Sequence, residues 1–98
     1  MYVVIRKFHQ MRSVREAARR AETGIGELLR QSPGFDSYYV FDAGNGVGGS
    51  VSLFQDRDSA SVANEKAIAW VRATLADLVQ GEPDITQGEV LAMVTRDT

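Results

Sequence analysis

The chain has 98 residues, a net charge of −2, 44% hydrophobic and 24% charged residues, and no cysteine. A chain of this length is expected to form one domain, residues 1–98, that buries only about 60 to 65% of its unfolded surface, so pairing with a second copy would support a marginal core. Its slight acidity argues against a nucleic-acid groove or an anionic membrane as partner. The lack of cysteine excludes disulfides and Cys-ligated metals. With no apolar run near the ~20 residues of a membrane span, and with Met1-Tyr2-Val3-Val4 starting a strand that has no basic n-region before it, the expected location is cytoplasmic.

Residues 2–8, YVVIRKF, read as a strand. Val3, Val4 and Ile5 are all apolar, which suits a strand covered on both faces. A loop over 9–12 follows. Ser13-Val14-Arg15-Glu16 is a capping box, with the serine accepting the N3 amide and the glutamate reaching back to the cap. Val14, Ala17, Ala18, Ala21, Ile25, Leu28 and Leu29 then recur at helical spacing to about Arg30. Gly24 and Gly26 predict a kink or short break near Thr23, and Ser32-Pro33-Gly34 ends the helix.

Residues 34–55 carry two runs of aromatic and β-branched residues joined through Asn45-Gly46, a strong hairpin signal because a type I′ turn needs positive φ at both central positions. A two-residue loop sets Tyr39 opposite Ser52 and Val40 opposite Val51. One face then holds Tyr38, Val40, Val51 and Leu53 and is expected to lie under helices. The other holds Phe35, Tyr39, Phe41, Phe54, Ser37, Ser50 and Ser52 and is expected to meet a second subunit or a ligand.

Asp56-Arg57-Asp58-Ser59 offers N-caps for a second helix, whose stripe is Ala60, Ala63, Ala67, Val71, Leu75 and Leu78, stopped at Gly81-Glu82-Pro83. A final strand is expected over residues 88–95, GEVLAMVT. The order β-α-β-β-α-β predicts an α+β, ferredoxin-like fold: a four-stranded antiparallel sheet with two helices on one face. Its other face would be too apolar for a monomer, so a partner is expected.

Four segments carry a family resemblance: PGFDSYYVFDAGNG at 33–46, SVSLFQDRDSA at 50–60, ANEKAIAWV at 63–71 and GEVL at 88–91. Together they resemble the antibiotic biosynthesis monooxygenase-like (ABM-like) branch of the dimeric α+β barrel superfamily. The resemblance implies a homodimer whose sheets pack bare face to bare face, with a pocket in each subunit between sheet and helices. It also implies small aromatic or apolar ligands and, in enzymatic members, cofactor-independent monooxygenase chemistry on phenols or quinols. Polyketide oxygenases of that family use an asparagine and a tryptophan, which Asn64 and Trp70 would supply here. Haem-degrading members ligate iron through a histidine on the second helix, where this chain has none, so no cofactor is expected.

Candidate residues follow from side-chain chemistry. His9 is the sole histidine and a candidate general base; its plainer role is a solvent-exposed loop residue. Tyr39, with Ser50 and Ser52, could orient a phenolic ligand, or serve only as an interface aromatic. Trp70 could stack on a ligand or fill the core, and Asn64 could donate to a ligand carbonyl or bond backbone. The expected catalytic set is Tyr39, Asn64 and His9, and the expected ligand-binding set Phe35, Tyr39, Phe41, Ser52, Phe54 and Trp70. No metal site is expected. The alternative is a non-catalytic binding or structural dimer accessory to another enzyme.

Overall fold

The structure is a computed structural model and describes residues 1–97. The elements run β1 (Tyr2–Phe8), α1 (Val14–Thr23), α2 (Ile25–Arg30), β2 (Phe35–Gly44), β3 (Val47–Phe54), α3 (Arg57–Thr74) and β4 (Asp84–Glu89). The strands form one antiparallel sheet in the order β2-β3-β1-β4, the α+β ferredoxin-like arrangement expected from the sequence. Among the described residues no helix is long and apolar enough to cross a membrane.

The helix caps form as their residues dictate. The Ser13 hydroxyl accepts the Glu16 amide at 3.1 Å, and Asp56 accepts the Ser59 amide at 2.8 Å at the start of α3. Half of the capping box is diverted, however. The Glu16 carboxylate bonds the Arg19 and Arg20 guanidinium groups on the next turn instead of the cap. Val14, Ala17 and Ala21 of α1 and Ile25 and Leu29 of α2 form a continuous buried stripe across a break at Gly24. From α3 come Ala60, Ala63 and Ala67, whose small side chains let the helix lie close to Val4 and Phe54 of the sheet. The Phe35 and Phe54 rings meet edge to face at 5.9 Å.

Three expectations are corrected. In the hairpin, Asn45 and Gly46 do take positive φ, and Gly44 pairs with Val47. Ala43 is then an extra residue on β2, so Asp42 pairs with Gly48, Val40 with Ser50, Tyr39 with Val51 and Tyr38 with Ser52. This bulge is held by the Asp42 carboxylate, which accepts the Gly44 amide at 2.9 Å where Gly44 has φ +86°. One added residue reverses which β3 side chains share a face with Tyr38 and Val40. Ser50, Ser52 and Phe54 therefore lie buried under the helices, while Val51 and Leu53 join Tyr39, Phe41 and Ile5 on the bare face.

The last strand is the second correction. It spans Asp84–Glu89 rather than 88–95: Glu89 already stands opposite Tyr2, and a last backbone bond from Val90 N–H to Met1 O at 2.8 Å ends the pairing with β1. The apolar residues beyond run free of the sheet, Leu91 at 90% and Val94 at 89% exposed. Third, α3 ends at Thr74 and not near Gly81. Leu75 and Leu78 still turn inward, but from the segment after the helix. Backbone bonds from Arg12 N–H to Leu78 O and from Gln80 N–H to Gln10 O tie that segment to the loop after β1.

Candidate ligand pocket

The period-2 alternation of β1 sends Tyr2, Val4, Arg6 and Phe8 toward the helices. Where α1 and α3 diverge over this face they leave a narrow pocket with a free volume of about 40 Å³, inside an envelope of about 500 Å³ that includes open solvent. Its walls are apolar: Val14, Ala17 and Ala21 from α1, and Ala67, Val71 and Leu75 from the α3 side. Met11 and Val79, paired through an isolated bridge, close one end. A second, roomier hollow with a free volume of about 210 Å³ adjoins it under residues 81–83 and shares Arg6, Phe8, Val71, Leu75 and Val79.

Three polar side chains face this apolar space: Arg6, Tyr38 and Ser50. Arg6 and Ser50 are direct cross-strand neighbours, and Ser50 in turn stands opposite Val40, two residues along β2 from Tyr38. Burial pushes the Tyr38 phenol above its ordinary pKa, against the pull of the Arg6 charge and the Ser50 hydroxyl, so the phenol stays protonated and able to donate. Burial likewise draws the Arg6 guanidinium below its ordinary value, with Tyr38 opposing.

Ser50, weighed from the sequence beside Tyr39 and Ser52, lines this pocket, whereas the residues of the expected catalytic and ligand-binding sets lie elsewhere. Tyr39, 59% exposed, and Phe41 stand on the bare face. Ser52 and Phe54 are sealed in the core, with Phe35 packed on Phe54. Trp70 is half-buried against Gly24, where a Cβ would lie 2.2 Å from the indole Cζ2. Asn64 is half-buried on α3, its Oδ1 shut off from water without a partner among the described residues. His9 lies outside, its Nε2 2.6 Å from Oδ2 of Asp84, a carboxylate that the fold brings from 75 residues away.

The sequence did hold a signal for the residues found. Arg6 interrupts an otherwise apolar alternation between Val4 and Phe8, which places a guanidinium on a buried face. A turn without a bulge sets Tyr38 and Ser50 on opposite faces; the extra residue at Ala43 brings them to one side.

Several solved proteins share this architecture. The chain is similar to the solved NE2512 protein of unknown function from Nitrosomonas europaea, with 17% identity over 96% of this chain and 92% of that one, at a TM-score of 0.77. It is also similar to the monooxygenase from the ActVA-Orf6 gene of Streptomyces coelicolor, solved in complex with nanaomycin D (18% identity, 96% and 90% covered, TM-score 0.72). A third is SnoaB, a cofactor-independent oxygenase from Streptomyces nogalater (9% identity, 95% of both chains covered, TM-score 0.73). At these identities the likeness is one of fold. No family model and no curated protein matches the chain.

Proposed function

We propose that this chain works as a homodimeric α+β barrel protein that binds a small aromatic or apolar molecule between sheet and helices, and that it oxygenates a phenol or quinol without a cofactor. The observation that carries the binding is the apolar pocket with Arg6, Tyr38 and Ser50 on its floor. Two structures of the same fold, a monooxygenase and a cofactor-independent oxygenase, support the chemistry. In the reaction, dioxygen takes four electrons from the substrate. One oxygen atom stays on a ring carbon as the new carbonyl, and the other leaves as water with the two hydrogens released. The chain would hold the substrate away from water and orient its oxygen through the Tyr38 and Ser50 hydroxyls.

The dimer is supported by Ile5, Tyr39 and Phe41 on the bare face and by the unpaired Leu91, Met93 and Val94 of the same chain, apolar surface beyond what a monomer usually leaves in water. Aerobic incubation with simple phenols and hydroquinones under isotopically labelled dioxygen tests the chemistry. One labelled oxygen per product, lost in Tyr38→Phe, is expected; no incorporation from any of them rejects it.

One observation favours a second reading. Among the described residues no carboxylate or imidazole lines the pocket itself, and Glu82 in the adjoining hollow is engaged with Arg72, so the floor lacks an evident proton acceptor near neutral pH. A non-catalytic ligand-binding dimer, accessory to another enzyme, would need none.

A further inference from the structure

Arg6 keeps only 6% of its surface exposed. Its neighbour on β4 is Ile85, which offers no polar side chain, and its neighbour on β3 is Ser50, which offers a hydroxyl and no charge. Among the described residues, no carboxylate forms an ion pair with the guanidinium and no group accepts a hydrogen bond from it, and Nε is sealed from water with no partner. Removing an ion from water costs several kcal/mol, and a side chain that stays protonated cannot escape that cost by neutralising itself. Glu82, on the hollow that Arg6 shares, pairs with Arg72 at 3.5 Å instead, which leaves the opposing charge to come from outside the fold.

The guanidinium is planar and presents paired N–H donors, a fork that matches the two oxygens of a carboxylate better than the single oxygen of a phenolate. The surrounding walls, Val14, Ala67, Val71 and Leu75, accept hydrocarbon and nothing charged. Resting on the reading of this pocket as the ligand site, we propose that the ligand is an apolar carboxylic acid, its carboxylate on the Arg6 fork and its aromatic or alicyclic body between α1 and α3. The Tyr38 and Ser50 hydroxyls add donors to the same oxygens.

The test compares benzoate and 1-naphthoate with benzamide and 1-naphthamide by calorimetry on the full chain, in wild type, Arg6→Met and Arg6→Lys. A hydrogen-bonded charge predicts acids binding about tenfold or more tighter than their amides. The preference vanishes in Arg6→Met and survives in part in Arg6→Lys. Acid and amide binding wild type equally, or a preference that persists in Arg6→Met, overturns the carboxylate and leaves the pocket standing. Binding of neither class overturns the pocket as a ligand site. Without ligand, Arg6→Met should melt at a higher temperature than wild type, since it removes an unpaired buried charge. A lower melting temperature shows that Arg6 is already neutralised, by a second copy for instance, and overturns the proposal.

Discussion

The indole of Trp70 occupies the space that any side chain on Gly24 would need, with Cζ2, Cε2 and Nε1 all within 2.6 Å of an ideal Cβ. That contact locates the break between α1 and α2 and anchors α3 across it. Replacing Gly24 with alanine should cost about 1 to 3 kcal/mol through overpacking. Urea unfolding followed by tryptophan fluorescence measures it, and the penalty should shrink in a Trp70→Phe background, because the two sites are coupled. Full additivity of the two changes would show that the indole has room to move.

The face assignment makes opposite predictions for neighbouring residues of β3. Val51→Arg should fold, with unchanged circular dichroism, and sediment as a monomer, because Val51 belongs to the face proposed for the second copy. Ser52→Arg should not fold, since it puts an unpaired charge under the helices where Ser52 is 2% exposed. An unfolded Val51→Arg beside a soluble Ser52→Arg would reverse the assignment.

The bulge depends on Gly44 at φ +86°, with open space around a would-be Cβ. Gly44→Ala therefore meets backbone strain alone and should cost roughly 1 to 3 kcal/mol. Asp42→Ala, which removes the side-chain bond to the Gly44 amide, should cost about 0.5 to 1.5 kcal/mol. Both are read from denaturant midpoints, and wild-type midpoints in both variants would mean that the bulge is held elsewhere.

Hydrogen bonds from Arg19 and then Arg20 hold the Glu16 carboxyl down from 4.5 to about 2. Asp77, also bonded to Arg20, is lowered as well. A lowered folded-state value means that the stabilisation is complete above about 4.5 and is lost as pH falls toward 2. Melting temperature should decline across that window, and Glu16→Gln should flatten part of the decline. Because these groups face water the effect is small, and an identical pH profile in the variant would remove Glu16 from the linkage.

Much of the fold was legible in the chain. Periodicity gave the helical stripes, Ser13 and Asp56 gave the caps, Asn45-Gly46 gave the turn and Gly24 the break. The β3 faces were misread because a hairpin register is carried from its turn, and one extra residue beside the turn alters every pair after it. Asp42-Ala43-Gly44, an aspartate two before a glycine, was the local sign of that irregularity. The last strand was misplaced because its apolar content was taken for pairing. Residues 84–89 pair because β1 is there to receive them, and beyond Val90, which bonds Met1, the apolar residues have no strand beside them among the described residues. The pocket is less legible for a related reason: its charged residue, Arg6, sits inside a β-branched strand, and the aromatic residues that draw attention, Tyr39 and Phe41, stand on the bare face.

Ala43 also bears on how such a protein can change over time. Losing that single codon would turn β3 over relative to β2, exchanging the surface offered to a small molecule with the surface offered to a neighbour, while the turn and the strand lengths stayed nearly as they are. Among relatives of this fold, a short insertion or deletion beside the hairpin tip could therefore redirect specificity more abruptly than many point substitutions within the cavity.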